Sequence, residues 1–120
     1  MGMKEEWQQQ IEAAEPGEAL KFDGKKVPVH QLRPEHIEGA MRVFQWAEDN
    51  KYPRLPDGTP NYLLGHGKRQ LLAAMIRHCM EAMVGNDFDE ESGEHHVSHV
   101  ICNGMMFMSE LKAGTLKEDQ

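Results

Sequence analysis

Between Gly85 and Asn103 the chain reads GNDFDEESGEHHVSHVICN, five carboxylates and three histidines within nineteen residues. Carboxylate oxygens alone suit Mg²⁺, whereas carboxylates mixed with imidazoles suit Mn²⁺, Zn²⁺ or Co²⁺. Asp87, Asp89, Glu90 and Glu91 stand just before a segment of helical periodicity, near enough to share a divalent cation at its start. Ser92 can cap that helix, whose free backbone N–H groups suit a phosphate. The same acidic run also fits a solvated loop placed favourably against the helix dipole. The sequence contains no HExxH pair and no EF-hand loop, so ligand spacing does not choose between the two.

At about 100° per residue, His96, His99 and Asn103 fall within an arc of about 60° that borders the apolar stripe of this helix. Bundles build sites at such an edge, but the two imidazoles also suit plain hydrogen bonds to neighbouring helices or water. His95 points elsewhere, toward solvent. One helix earlier, His78 shares a face with Leu71, Met75 and Ala82 and reads as a satisfied core histidine. Arg77 and Glu81 have the i,i+4 spacing of a surface ion pair. Glu35 and Glu38 form an ExxE pair, which fits a dipole-compatible Glu35 with a Glu38–Arg42 ion pair, or a Mg²⁺ chelate. Lys21, Lys25 and Lys26 make one basic group, and Lys51, Arg54, Lys68 and Arg69 another. Each is a candidate phosphate clamp or a source of solubility. Tyr52 and Tyr62 could stack on a base.

These side chains need elements to hold them. Residues 3–14 suit a short helix with Trp7 and Ile11 on one face, ended by Pro16-Gly17. Asp23-Gly24 lies between two short extended runs, a hairpin signal, with Pro28 confining the second strand to an edge. Pro34 starts a second helix, where Ile37, Ala40, Met41, Phe44 and Ala47 recur at helical spacing. KYPRLPDGTPNY breaks it, and a loop that long is often functional. A third helix is expected from Lys68 to Val84 with Leu71, Leu72, Met75, Cys79 and Met83 inward, stopped by Gly85. A fourth spans 94–112, with Val97, Val100, Ile101, Gly104, Phe107, Met108 and Leu111 on its apolar face. The expected fold is mainly α, a bundle of about four helices with a small N-terminal β-hairpin. Nine methionines make adaptable faces through which the chain should assemble as a homo-oligomer.

With 120 residues the chain fits one domain, able to bury a core without disulfides. A formal charge of −7 argues against a nucleic-acid polymer as partner, though a small anionic ligand needs only a local cluster. Cys79 and Cys102 sit in apolar runs and read as reduced core residues. No stretch approaches the roughly 20 apolar residues of a membrane span, and MGMKEEWQQQ has no signal-peptide core. A cytoplasmic protein without a membrane partner is expected.

KFDGKK at 21–26, LRPEHIEGAMRVF at 32–44, NKY at 50–52, LLAAMIRH at 71–78, GNDFDEESG at 85–93 and HVSHVICN at 96–103 follow one another in a specific order. Together they resemble the phage-associated dATP/dGTP diphosphohydrolase N-terminal-like family, related to the all-α MazG-like nucleotide pyrophosphohydrolases. The resemblance covers roughly residues 20–112 and implies a helical nucleotide-binding fold; with the N-terminal helix placed in 1–18 and the tail 114–120 expected to be disordered, the nucleotide-binding domain is expected over 19–113. It implies a phage protein, homo-oligomeric, that takes a nucleotide in the cytoplasm of the infected host. It also implies Mg²⁺ or Mn²⁺ held by acidic side chains, with Glu38, Asp87 and Asp89 as metal candidates and Glu38, Asp89 and Glu91 as catalytic ones. Arg77, His78, His96, His99 and Asn103 become ligand-binding candidates, beside Lys21, Lys25, Lys51, Tyr52 and Arg69 from the basic groups. The loop departs from the family in reading GND in place of GED, so Asn86 stands where a carboxylate is expected. Two functions follow: a metal-dependent dNTP pyrophosphohydrolase, or a non-catalytic anti-defence protein that needs no cofactor and sequesters a nucleotide-derived immune signal.

Overall fold

The structure, a computed structural model, describes residues 8–9 and 26–118. The chain divides into two compact units, Met1–Gln31 and Leu32–Gln120. In the first, Gln8 and Gln9 are helical and Val29–Gln31 forms a 3-10 turn. The rest of the expected first helix and the hairpin, with Lys21 and Lys25, lie outside the described residues.

The second unit contains α1 (Pro34–Asn50), α2 (Lys68–Met83) and α3 (His96–Ala113), with a 3-10 turn at Asn61–Leu64. Among the described residues there are three α-helices and no strand beyond two isolated bridges, so neither the hairpin nor a count of four helices is supported. The chain is mainly helical, as its periodicity predicts.

Pro34 opens α1 at a position where its missing N–H costs nothing, and His36 Nδ1 accepts the Arg33 backbone N–H at 3.2 Å. α3 lies centrally, packing on α1, on α2 and on the 61–64 turn. It meets α1 closely at Gly39, where a Cβ would fall 2.0 Å from Ser98 Oγ and 2.9 Å from Ser98 Cβ. Only a residue without a side chain fits that crossing. The fully buried apolar set is small: Ala40, Val43, Leu71 and Cys102, with Phe44, Ile101, Met105 and Met106 packed around Ala40, Val43 and Cys102.

The two helices flanking the acidic loop face differently from what amphipathicity predicts. On α2, Leu71 is buried, but Leu72, Cys79 and Met83 are exposed, Met83 to 84%. On α3, Val97, Met108 and Leu111 are exposed, while His96, His99, Cys102 and Glu110 are buried. With only α1, α2 and a short turn around it in this unit, α3 buries the edge of its stripe and leaves much of the stripe itself open. No described helix is long and apolar enough to cross a membrane.

Residues 114–118 turn back from the end of α3 toward the start of α2. Gly114 ends α3 in the left-handed conformation with φ 78°. Lys117 then pairs with the α2 entrance: its carbonyl accepts from Lys68 N–H at 2.7 Å, and its N–H donates to the His66 carbonyl at 2.9 Å. Below this clasp the fully buried Glu110 carboxylate accepts both the His66 backbone N–H and a bond from His66 Nδ1 at 3.1 Å.

Candidate functional site

The acidic loop is built around Asp89. Its Oδ2 accepts the backbone N–H groups of Ser92 at 2.9 Å and Glu91 at 3.1 Å, so the carboxylate shapes the turn that follows it. Phe88 and His95 bridge as an antiparallel pair, with Asp89 N–H bonded to the Glu94 carbonyl and His96 N–H to the Asp87 carbonyl, both at 2.8 Å. The loop is therefore a closed clasp that delivers the chain into α3.

The cap of α3 is His95, not Ser92: His95 Nδ1 accepts Val97 N–H at 3.0 Å. Ser92 turns inward instead, its Oγ lying 2.7 Å from His99 Nε2 while also accepting Glu94 N–H. The clasp leaves Ser92 three residues before the cap position and brings it against His99.

Three imidazoles meet beneath this loop. His78, on α2, places Nδ1 2.8 Å from His96 Nδ1 and stacks on His99 with centroids 4.4 Å apart and planes 13° from parallel. His96 and His99 are 5% and 8% exposed, and Nε2 of His96 is buried without a partner. Asp89 Oδ2 lies 3.6 Å from His99 Nε2. Among the described residues, one donor atom each from His78, Asp89 and His96 lies within 4.8 Å of the others. Burial pushes both His78 and His99 below the ordinary imidazole range, with Asp89 opposing in each case. For Asp89, burial acts to raise its pKa, but the Ser92 N–H bond and the field of His99 outweigh it and hold the carboxyl below its usual range. Neutral imidazoles beside an ionised carboxylate are the protonation states that bind metals or accept protons.

The cluster forms one wall of a cavity of about 850 Å³. His78, His99, Asp89 and Glu91 line it on that side with Arg77 and Asn103. The end of α1 and the loop after it also line it, with Trp46, Lys51, Tyr52, Arg54 and Tyr62. Trp46 meets His99 edge-on at 6.4 Å. Lys51 lies over the Trp46 ring at 5.1 Å and pairs with Glu91 at 2.6 Å, a contact that raises the lysine pKa. The volume is in the range of small-molecule sites, and aromatic faces with both signs of charge suit a nucleotide.

Of the candidate site residues singled out in the sequence, this cavity brings together Lys51, Tyr52, Arg54, Tyr62, Arg77, His78, Asp89, Glu91, His99 and Asn103. His96 stands directly behind His78. Glu38 lines a separate groove of about 520 Å³ on α1, with Leu32, Pro34, Ile37, Met41 and Arg42. Arg69 and Asp87 are exposed and outside the cavity lining. Two expected ion pairs are replaced by other contacts: Arg42 Nε bonds Glu94 at 2.9 and 3.0 Å, and Glu81 accepts from Asn86 Nδ2 at 2.7 Å. Trp46 and the buried Glu110–His66 pair were not marked by the sequence, and Ser92 was marked only as a helix cap. Trp46 alone had a signal, as a large ring beside the NKY stretch.

No solved structure matches the chain significantly. A dATP/dGTP diphosphohydrolase of Salmonella phage PMBT28 is 36% identical over 89 residues, which is 74% of this chain. The match spans 28% of that relative's own length. The profile of the family described as dATP/dGTP diphosphohydrolase, N-terminal, matches residues 16–120. The order of motifs from KFDGKK to HVSHVICN thus has its explanation: this chain belongs to the dATP/dGTP diphosphohydrolase N-terminal family.

Proposed function

We propose that this chain acts as a phage nucleotide hydrolase domain, taking a purine deoxynucleoside triphosphate and releasing pyrophosphate in the cytoplasm of the infected host. The observation that supports this reading is the cavity that gathers aromatic faces and cations with Asp89 and the imidazoles of His78 and His99. Trp46 and Tyr62 offer flat surfaces for the base, and Lys51, Arg54 and Arg77 offer charge to the phosphates. Asp89 and Glu91 orient a water, and His99, whose Nε2 is 2.7 Å from Ser92 Oγ, can accept its proton. A divalent cation such as Mg²⁺ or Mn²⁺ belongs to the reading, and when bound it neutralises phosphate charge.

We take the chain to work as a homo-oligomer. Among the described residues four buried apolar side chains make a small core, and Leu72, Ile76, Met80 and Met83 leave an exposed stripe along α2. A second copy would cover that stripe through the same stripe of its own, the geometry of a two-fold helical interface.

A sequestering role is the second reading, favoured by Asn86, which stands in place of a carboxylate and is bonded to Glu81. Incubation with a nucleotide panel and Mg²⁺ or Mn²⁺, then mass spectrometry of bound and released species, separates the two. Pyrophosphate release abolished by Glu91→Gln supports hydrolysis. Intact nucleotide recovered from the denatured complex supports sequestration and overturns hydrolysis.

A further inference from the structure

We propose that His78, His96 and Asp89 hold a transition-metal ion of the Mn²⁺, Co²⁺ or Zn²⁺ class, through the two Nδ1 atoms and one carboxylate oxygen. Three donors from α2, the acidic clasp and α3 converge within 4.8 Å. The clasp is already closed by its own backbone bonds, and α2 packs on α3 along its length.

The spacing fits an ion. Nitrogens about 2.0–2.1 Å from one metal stand about 2.9 Å apart at the right angle of an octahedral ion and about 3.3 Å apart at a tetrahedral zinc, for which the two rings would part by about half an ångström. The two Nδ1 atoms are 2.8 Å apart. At that distance at most one can carry a proton, so at least one lone pair points into the gap. A metal uses both lone pairs and leaves the His96 proton on its buried Nε2, which has no other partner. Two imidazoles with one carboxylate select ions that accept nitrogen and disfavour Mg²⁺, which prefers oxygen and holds its water.

His78 and Asp89 line the cavity while His96 lies behind them, so the ion would sit in the cavity wall with a side open to it. One carboxylate leaves a divalent ion net positive toward that opening. The placement suits the terminal phosphates of a nucleotide, a clause that rests on the reading above; the ion site itself does not.

The test uses the full chain, stripped with chelator and loaded with Mn²⁺ alone. Electron spin-echo spectroscopy should show coupling to imidazole nitrogens, at one ion per chain. Excess Mg²⁺ should not displace it, and Co²⁺ should give visible ligand-field absorption. His78→Gln and Asp89→Asn should each weaken binding tenfold or more with helical circular dichroism kept. Mn²⁺ without nitrogen coupling overturns the site, a result from the unaltered chain that needs no variant to fold. Displacement by Mg²⁺ at equal concentration also overturns it. Nitrogen-coupled Mn²⁺ without nucleotide binding keeps the site and sinks the nucleotide reading; nucleotide turnover without nitrogen coupling does the reverse.

Discussion

His78 and His99 stack face to face at 4.4 Å, each from a different helix. Burial is the largest influence on both and favours the neutral ring; for His78 the positive fields of His99, His96 and Arg77 add to it, and Asp89 opposes. For His99, Asp89, Glu94 and Glu91 oppose burial while His96 adds to it. Both folded pKa values lie below the ordinary 6.5, so between the two states the unfolded chain binds more protons. Stability is therefore full above about pH 6.5 and is lost as pH falls through the depressed folded values. In chelator, the thermal midpoint should stay level above that pH and drop below it. His99→Gln should flatten the drop; an unchanged slope would remove these rings as its cause.

Arg77 lines the cavity beside His78 and faces no carboxylate closely enough to be paired among the described residues. Its guanidinium is free for phosphate oxygens. Arg77→Ala should weaken binding of a nucleoside triphosphate about tenfold, or about 1.4 kcal/mol, and that of the nucleoside hardly at all. Titration calorimetry with both ligands checks this, and equal losses would place Arg77 away from the phosphates.

Glu110 is fully buried and holds His66 by two hydrogen bonds. Glu110→Ala strands a buried N–H and opens a void, so it should cost about 3 kcal/mol in urea unfolding. The folded fraction should also bind ligand more weakly, because the His66 that Glu110 holds lines the cavity.

The α2 stripe can be tested directly. Light scattering should give a multiple of the chain mass, and Ile76→Glu or Met80→Glu, both at exposed positions, should return it to one chain. A variant that stays associated would put the interface elsewhere.

Helix positions were legible because period and punctuation agreed: Pro34 opens α1 and Gly85 follows the end of α2 as expected. The arc of His96, His99 and Asn103 was legible too, since spacing on a helix fixes direction. Which side of α3 would be covered was not. Amphipathicity assumes that the apolar stripe finds a partner within the chain, and here the histidine edge is packed while Met108 and Leu111 are open. The return of 114–118 toward α2 was hidden because it rests on backbone bonds from Lys117, which composition does not encode. Ser92 misled for a related reason: a good capping residue was taken by a tertiary contact with His99.

Gly39 sits one helical contact away from all of this, with Ser98 where its side chain would be. Two turns along α1 from that point, Trp46 faces His99 across the cavity. The missing methyl thus works as a gauge for the cleft: Gly39→Ala would act as a wedge, prising the indole from the imidazole while altering no group that touches a ligand.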